Sequence, residues 1–488
     1  MKNNYQEIRE LEPQAVFNHF ADILAIPHPS CHEEKIATYL LSFAKEHGFS
    51  ARCDEAGNVI MTVPASQGHE HSQRVILQAH MDMVPVAATG VTHDFEKDPI
   101  DAYVDDGWIK ARGTTLGADD GLGESMILAL IGDPANLHGP LTAVFTVEEE
   151  VTMKGSLNLS HDDLQGEYLI NLDSEEDGTL CVSCAGSCDV NFTYPVDRIV
   201  TQDTSCFDIA LRHCTGGHSG SDIHKGHANA AIVLCRILAA LEEQFEIFID
   251  FIRAGQVRNA VPQEAFVRVR IPNESSEDFK KAFEELSDKT SRLYANTDPD
   301  AVFAIEQMHD VKGDTEVLSL VDSEILLRFI STIPNGVFRL WSEDMSIPET
   351  SSNLGLIRTK DDTIEIGCMP RSLKESGLDE IITTLSCAGE MAGCEVNCDH
   401  RHPCWSSPSD NALISTLQKA YKEICSKQFK VMAIHAGLEC AQFAQKAPHL
   451  QLVSLGSTLL APHSPDERAL ICGVGELYDT LRLALSNI

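Results

Sequence analysis

The sequence predicts a two-domain α/β protein, with an α/β domain built from both ends of the chain and an α+β domain inserted between them. Three observations predict it. The 488 residues exceed what one core holds, at about 100–200 residues per domain. Short apolar runs with β-branched residues alternate with helical spacing before residue 190 and again after 400, the texture of a largely buried sheet covered by helices. Between those limits the strands become longer and alternate polar with apolar, as strands of an antiparallel sheet with helices on one face do.

In chain order, Val16, Phe17, Phe20, Ile23 and Leu24 mark one amphipathic helix, and Ile36, Tyr39, Leu40 and Phe43 a second. RVILQAH (74–80), PLTAVFTV (140–147) and EYLINLD (167–173) read as buried strands, and GLGESMILALIG (121–132) reads as a helix between the first two. In the inserted region CFDIALRH (206–213) and EAFVRVRI (264–271) are strands, with helices near 227–244, 276–294, 315–331 and 373–392. Beyond 400, KVMAIHAG (430–437) and LQLVSLG (450–456) return to short strands, with helices near 409–427 and 472–487.

Lys and Arg number 37 against 74 Asp and Glu, a formal charge of −37. That charge repels phosphate backbones and anionic lipid, so neither nucleic acid nor a membrane is expected as a partner. The N-terminus has no signal-peptide pattern and no run of about 18 apolar residues occurs, which places the chain in the cytoplasm. Its sixteen cysteines are scattered and read as free thiols. One C-x-x-C occurs at Cys181 and Cys184, without a second pair at zinc-ribbon spacing.

There is no P-loop and no H-E-x-x-H, and GGHSG (216–220) is followed by Ser221 where a nucleophile elbow starting at Gly217 needs glycine. What remains is a set of imidazoles and carboxylates where apolar strands end. His80 and Asp82 close one strand; Glu148, Glu149 and Glu150 close another. Asp173 closes a third, Asp119 and Asp120 stand where a helix begins, and His463 follows LQLVSLG. Taken singly, each has an ordinary use as a cap, a turn or a solvated loop. Converging on the carboxyl rim of one sheet, so many acids repel unless cations neutralise them, and two His with three carboxylates suit a divalent metal, zinc first.

The strings LQAHMDMVP, GTTLGADDGLGESM, TVEEEVTMKGS, INLDSEE, GGHSGSDIHKGHANA, RNAVPQEA, SSNLG, HAGLEC and APHSPDER occur in this order, nearly end to end. Together they resemble the aminoacyl-histidine dipeptidases, within the co-catalytic zinc dipeptidases and exopeptidases related to carboxypeptidase G and carnosinase. The resemblance implies a zinc-exopeptidase-like α/β catalytic domain (1–188 and 401–488) with an inserted α+β lid domain (189–400). It implies two divalent metal ions, zinc by first choice with Mn2+ or Co2+ as alternatives. His80 and Asp173 would hold one ion, Glu150 and His463 the other, and Asp119 would bridge them across a cis Asp119–Asp120 bond. Asp82 would orient His80, and Glu149 would be the general base toward a metal-activated water. In the lid, His218 would polarise the scissile carbonyl, while Asn259 and Arg371 would bind the substrate's polar backbone or C-terminal carboxylate. His435 and Glu439 fall in a matching string without an assigned role. Thr152 departs from the resembled pattern, which has glycine there, and leaves the turn after Glu150 open.

The activity so implied is hydrolysis of small peptides, Xaa-His and related unblocked dipeptides, by a chain that is free to form a homodimer. The alternatives are a deacylase or carboxypeptidase-like amidohydrolase of the same clan, or a catalytically silent metal-binding protein that keeps the fold.

Overall fold

The structure is a computed structural model and describes residues 5–308, 315–408 and 410–488. It divides into two compact units. One holds the chain up to Cys184 together with Trp405–Ala433 and Leu438–Ile488, and the other holds Ala185–Cys404 and Ile434–Gly437.

The first unit is built on a nine-stranded mixed sheet. Eight of its strands follow in the order Ser50–Cys53, Val59–Val63, Leu141–Thr146, Val75–His80, Tyr168–Asn171, Gln451–Ser454, Thr179–Cys184, Trp405–Ser406. The middle four run parallel. Burial on both faces explains their continuous apolar sequences: every residue of Val75–His80 and Leu141–Thr146 is buried. The helix Ala118–Gly132 is buried from Ala118 to Ile131, so its apolar residues go all the way round instead of forming a stripe. Val16, Phe17, Phe20, Ile23 and Leu24, on Gln14–Leu24, and Ile36, Leu40 and Phe43, on Glu34–His47, join the same core.

The second unit carries a nine-stranded antiparallel sheet whose central strands include Thr204–Arg212, Ala265–Pro272, Phe248–Ala254, Pro348–Thr359 and Thr363–Ser372. Helices Ala230–Leu241, Ser276–Tyr294, Leu320–Thr332 and Glu375–Met391 fill its core with Phe279, Phe283, Leu326 and Leu378. The expected 315–331 helix starts later, because Thr315–Leu318 is a strand paired with Arg198–Thr201 and the Ser319 side chain caps the helix by accepting from Asp322 N. Ser409, where the sequence places the start of another helix, lies outside the described residues; the helix there is Ala412–Cys425. None of the sixteen cysteines forms a disulfide. Among the described residues no helix is long and apolar enough to cross a membrane.

Candidate metal centre

His80 is the last residue of Val75–His80 and is 1% exposed. Its Nδ1 lies 2.9 Å from the Asp82 backbone oxygen and 3.5 Å from Asp82 Oδ1. The nearer partner is therefore the carbonyl, which fixes the proton on Nδ1 and leaves the Nε2 lone pair pointing outward. The Asp82 carboxylate has other partners: Oδ1 accepts from Glu149 N (2.9 Å), and Oδ2 accepts from Ser30 Oγ (2.8 Å) and Glu150 N (3.3 Å). It thus caps the short helix Glu149–Thr152 from another segment and sets where both glutamates begin. Thr152 sits inside that helix; the left-handed residue is Met153 (φ 53), and the glycine the turn requires is Gly155, where a Cβ would lie 2.4 Å from Asn58 Oδ1.

Asp119 opens the Ala118–Gly132 helix across a cis peptide bond to Asp120. Asp120 serves the scaffold, accepting from His80 N (3.3 Å) and Gly123 N (3.2 Å). The two oxygens of Asp119 face opposite ways: Oδ1 is 3.1 Å from His80 Nε2, and Oδ2 is 3.1 Å from His463 Nε2. A second acid stands by each imidazole, with Asp173 Oδ1 3.6 Å from His80 Nε2 and Glu150 Oε1 2.8 Å from His463 Nε2. Donor atoms of His80, Asp119 and Glu150 lie within 4.8 Å of one another, and so do those of His80, Asp120 and Asp173.

The electrostatics follow from that crowding. Burial pushes the Asp173 carboxyl up to about 8. Burial, with Asp173 adding to it, raises Glu149 well above the carboxylate range. Burial also works against ionised Asp119, but hydrogen bonds from His463 and His80 outweigh it and hold that carboxyl low. Apart from the two imidazoles, no described cation makes an ion pair with Asp119, Glu150 or Asp173.

In the second unit, His218, Asn259 and Arg371 form a connected group. Gly216 (φ 70) and Gly217 (φ 128) adopt backbone conformations that L side chains rarely take, and His218 N donates to Asp222 Oδ2 at 2.7 Å. Ser219 N donates to the Asn259 carbonyl (2.8 Å), while the exposed Asn259 side chain is left at the surface. The Arg371 guanidinium is 3.4 Å from His218 Nε2 and donates to Ser219 Oγ at 3.2 Å. Arg371 is 6% exposed, has no carboxylate within ion-pair distance among the described residues, and burial lowers it to about 10. A buried, unpaired guanidinium is a site for an anion. His435 belongs to this group as well: its Nε2 is 2.7 Å from Ser351 Oγ, and Ser351 pairs with Arg371 across two strands.

Residues 76–486 match the model of peptidase family M20/M25/M40. The chain belongs to that family. As an M20 peptidase it is a metal-dependent peptide hydrolase. The cytosol non-specific dipeptidase of Escherichia coli (strain K12) is 37% identical over 484 residues, 99% of each chain. The solved aminoacylhistidine dipeptidase of Vibrio alginolyticus superposes with a TM-score of 0.86 at 35% identity, covering 100% of this chain and 99% of that one. The aminopeptidase PepT of Bacillus cereus ATCC 10987, at TM-score 0.62 and 16% identity over 98% of both chains, shares the fold.

Two groups around the metal centre of this M20 peptidase escape a sequence reading. Gln78, Thr146 and Asn171 lie on three adjacent strands and are joined through Glu439: its Oε2 accepts from Gln78 Nε2 (2.6 Å) and Thr146 Oγ1 (2.7 Å), and Gln78 Oε1 accepts from Asn171 Nδ2 (2.7 Å). Gln78 and Asn171 each stand two residues before His80 and Asp173, so this buried chain spaces the strands that deliver them. Glu467 is the second, its carboxylate accepting from the backbone amides of residues 116–119. The only advance signal for either glutamate was membership of the strings HAGLEC and APHSPDER.

Proposed function

We propose that this M20 peptidase is a two-metal dipeptidase that cleaves small unblocked dipeptides, Xaa-His among them. The observation that carries the reading is the division of Asp119, which turns one oxygen to each of two imidazoles, with one further acid beside each. Two imidazole nitrogens and three carboxylates are a donor set for divalent ions of borderline hardness, zinc by first choice, and the three negative charges offset most of the charge of two such ions. The Glu150 Oε1 atom is buried and stands 2.8 Å from His463 Nε2, two donor atoms that one cation would satisfy together.

In this reading His80 and Asp173 hold one ion, Glu150 and His463 hold the other, and Asp119 bridges. Residues 1–188 and 401–488 form the catalytic domain and 189–400 the lid. When bound, the ions polarise the scissile carbonyl and lower the pKa of water. Glu149 takes the proton of the attacking water onto a carboxylate oxygen and gives it to the departing amine nitrogen. Asp82 holds Glu149 in place through its backbone N–H. His218 donates to the carbonyl oxygen as charge develops on it, and Asn259 and Arg371 hold the substrate's backbone and C-terminal carboxylate. The names of the Escherichia coli and Vibrio alginolyticus relatives support the dipeptide class, and the former supports a cytoplasmic setting.

The test is a peptide panel containing Xaa-His and other dipeptides, N-blocked dipeptides and tripeptides, with metal content measured on the same sample. Free dipeptides should be cleaved, activity should vanish with a chelator, and zinc should restore it. Preferential cleavage of the blocked substrates would replace dipeptidase with deacylase.

A further inference from the structure

The loop that carries His463 is held in a shape it would not keep alone. Ala461 (φ 53) and His463 (φ 57) are both left-handed and neither is glycine. Such residues persist only where surrounding contacts over-determine them. Inside the loop, Ser464 Oγ donates to Ala461 O (2.8 Å) and accepts from Asp466 N (3.2 Å), while Glu467 N donates to Ser464 O (3.0 Å). These bonds make the loop stiff but do not place it.

What places it is the Glu467 carboxylate, 3% exposed. Its Oε2 accepts from Leu116 N (2.7 Å) and Gly117 N (3.1 Å), and its Oε1 from Ala118 N (2.8 Å) and Asp119 N (3.4 Å). Four successive amides curl around one carboxylate, helped by left-handed Gly117 (φ 74), and together they form a concave anion nest. Helix capping accounts for only part of this, because Leu116 and Gly117 precede the Ala118–Gly132 helix. The nest ends at Asp119, whose Oδ2 faces His463 Nε2, and the carboxylate filling it stands four residues after His463.

We infer that Glu467 is a positioning residue for the metal pair: by filling the 116–119 nest it holds the segment bearing Asp119 and the strained loop bearing His463 at a fixed separation. The inference rests on the ligand assignment proposed above. It makes Glu467→Gln a severe change, because whichever way the amide turns, its NH2 group must face two backbone N–H donors. The His463–Glu150 position should suffer most, since its histidine rides on the released loop, whereas His80 ends one sheet strand and Asp173 closely follows another.

The experiment titrates metal-stripped wild type, Glu467→Gln and Glu467→Gln/Ala461→Gly with Zn2+ against a chromophoric chelator, with circular dichroism on each sample. Wild type should take up two equivalents. Glu467→Gln should lose about 10–100-fold in affinity at one of them, the usual scale for residues that orient ligands. Ala461→Gly, which removes one left-handed penalty, should recover part of that loss. Two equivalents bound by Glu467→Gln with wild-type affinities, or no recovery in the double variant, would overturn the inference. Wild type taking up fewer than two equivalents would instead overturn the two-metal reading. Should Glu467→Gln fail to fold, Glu467→Asp carries the test: its carboxylate keeps the charge but is one methylene short of the nest, so weaker binding at one position supports the inference and unchanged binding rejects it.

Discussion

Removing the Asp82 carboxylate tests how the two glutamates are placed. Asp82→Ala leaves the N–H groups of Glu149 and Glu150 without their acceptor. A buried donor left unpaired costs about 1–3 kcal/mol. Both glutamates are half-buried, so water reaches the new gap and the pair should cost about 2–3 kcal/mol in all. Asp82→Asn should cost less. Its amide oxygen can keep the 2.9 Å bond to Glu149 N, and the Ser30 hydroxyl can turn to accept from its NH2 group. Only Glu150 N then faces a donor, at about 1–2 kcal/mol. In activity, a displacement of about 1 Å at the base costs on the order of 10²-fold, so kcat of Asp82→Ala should fall by that factor. KM should hardly move, because His218, Asn259 and Arg371 belong to the other unit. The assay is denaturant titration of zinc-loaded protein together with steady-state kinetics on one dipeptide. A kcat of Asp82→Ala within threefold of wild type, or a raised KM at unchanged kcat, would refute the anchoring role.

Glu149→Ala should keep two equivalents of zinc by elemental analysis yet lose about 10²–10⁴ in kcat, as loss of a general base does; near-normal turnover would reassign the base. Arg371→Lys should raise KM for free dipeptides at least tenfold while leaving C-terminally amidated ones nearly unchanged, because an ammonium cannot reproduce the guanidinium fork; equal effects on both substrates would remove Arg371 from carboxylate binding. His19, half-buried between Tyr39 and Phe43, is lowered by partial desolvation to about 4, so between pH 6.5 and 4 the unfolded chain binds the extra proton. Its contribution is fully present above pH 6.5 and fades as pH falls through that window, by about 3 kcal/mol in total. Unfolding midpoints of His19→Gln should therefore decline less from pH 7 to pH 4.5 than those of wild type, and parallel curves would contradict the assignment.

Much of the scaffold could be read from residue order because burial writes itself into composition. The continuous apolar runs ending at His80, Thr146 and Asn171 are what a parallel strand covered on both faces requires, and they locate the sheet rim where acids follow. The Thr315–Leu318 strand merges into the following helix in a reading by period, because four residues carry too few positions to show one and the Ser319 cap that separates the two has no period of its own. Glu467 and Glu439 had no local pattern to betray them. Their partners lie 348–351 residues away for Glu467 and 293–361 for Glu439, and a carboxylate that binds backbone amides has the same spacing signature as one on a solvated loop. The division of Asp119 between two histidines likewise exists only in three dimensions, since His463 stands 344 residues from it.

The parallel pairing of Gln451–Ser454 with Tyr168–Asn171 also bears on how the chain is made. Their first residues are 283 positions apart, which at about 5–20 residues per second of synthesis is a delay of about 15–60 s. During that interval the Tyr168–Asn171 strand has its Val75–His80 neighbour on one side and an open row of amides and carbonyls on the other. The nascent protein thus exposes an apolar strand edge, the feature most prone to pair with another chain, for far longer than the microseconds a hairpin takes to form. A fragment ending before Gln451 already contains His80, Asp119, Glu149, Glu150 and Asp173, and it is expected to aggregate.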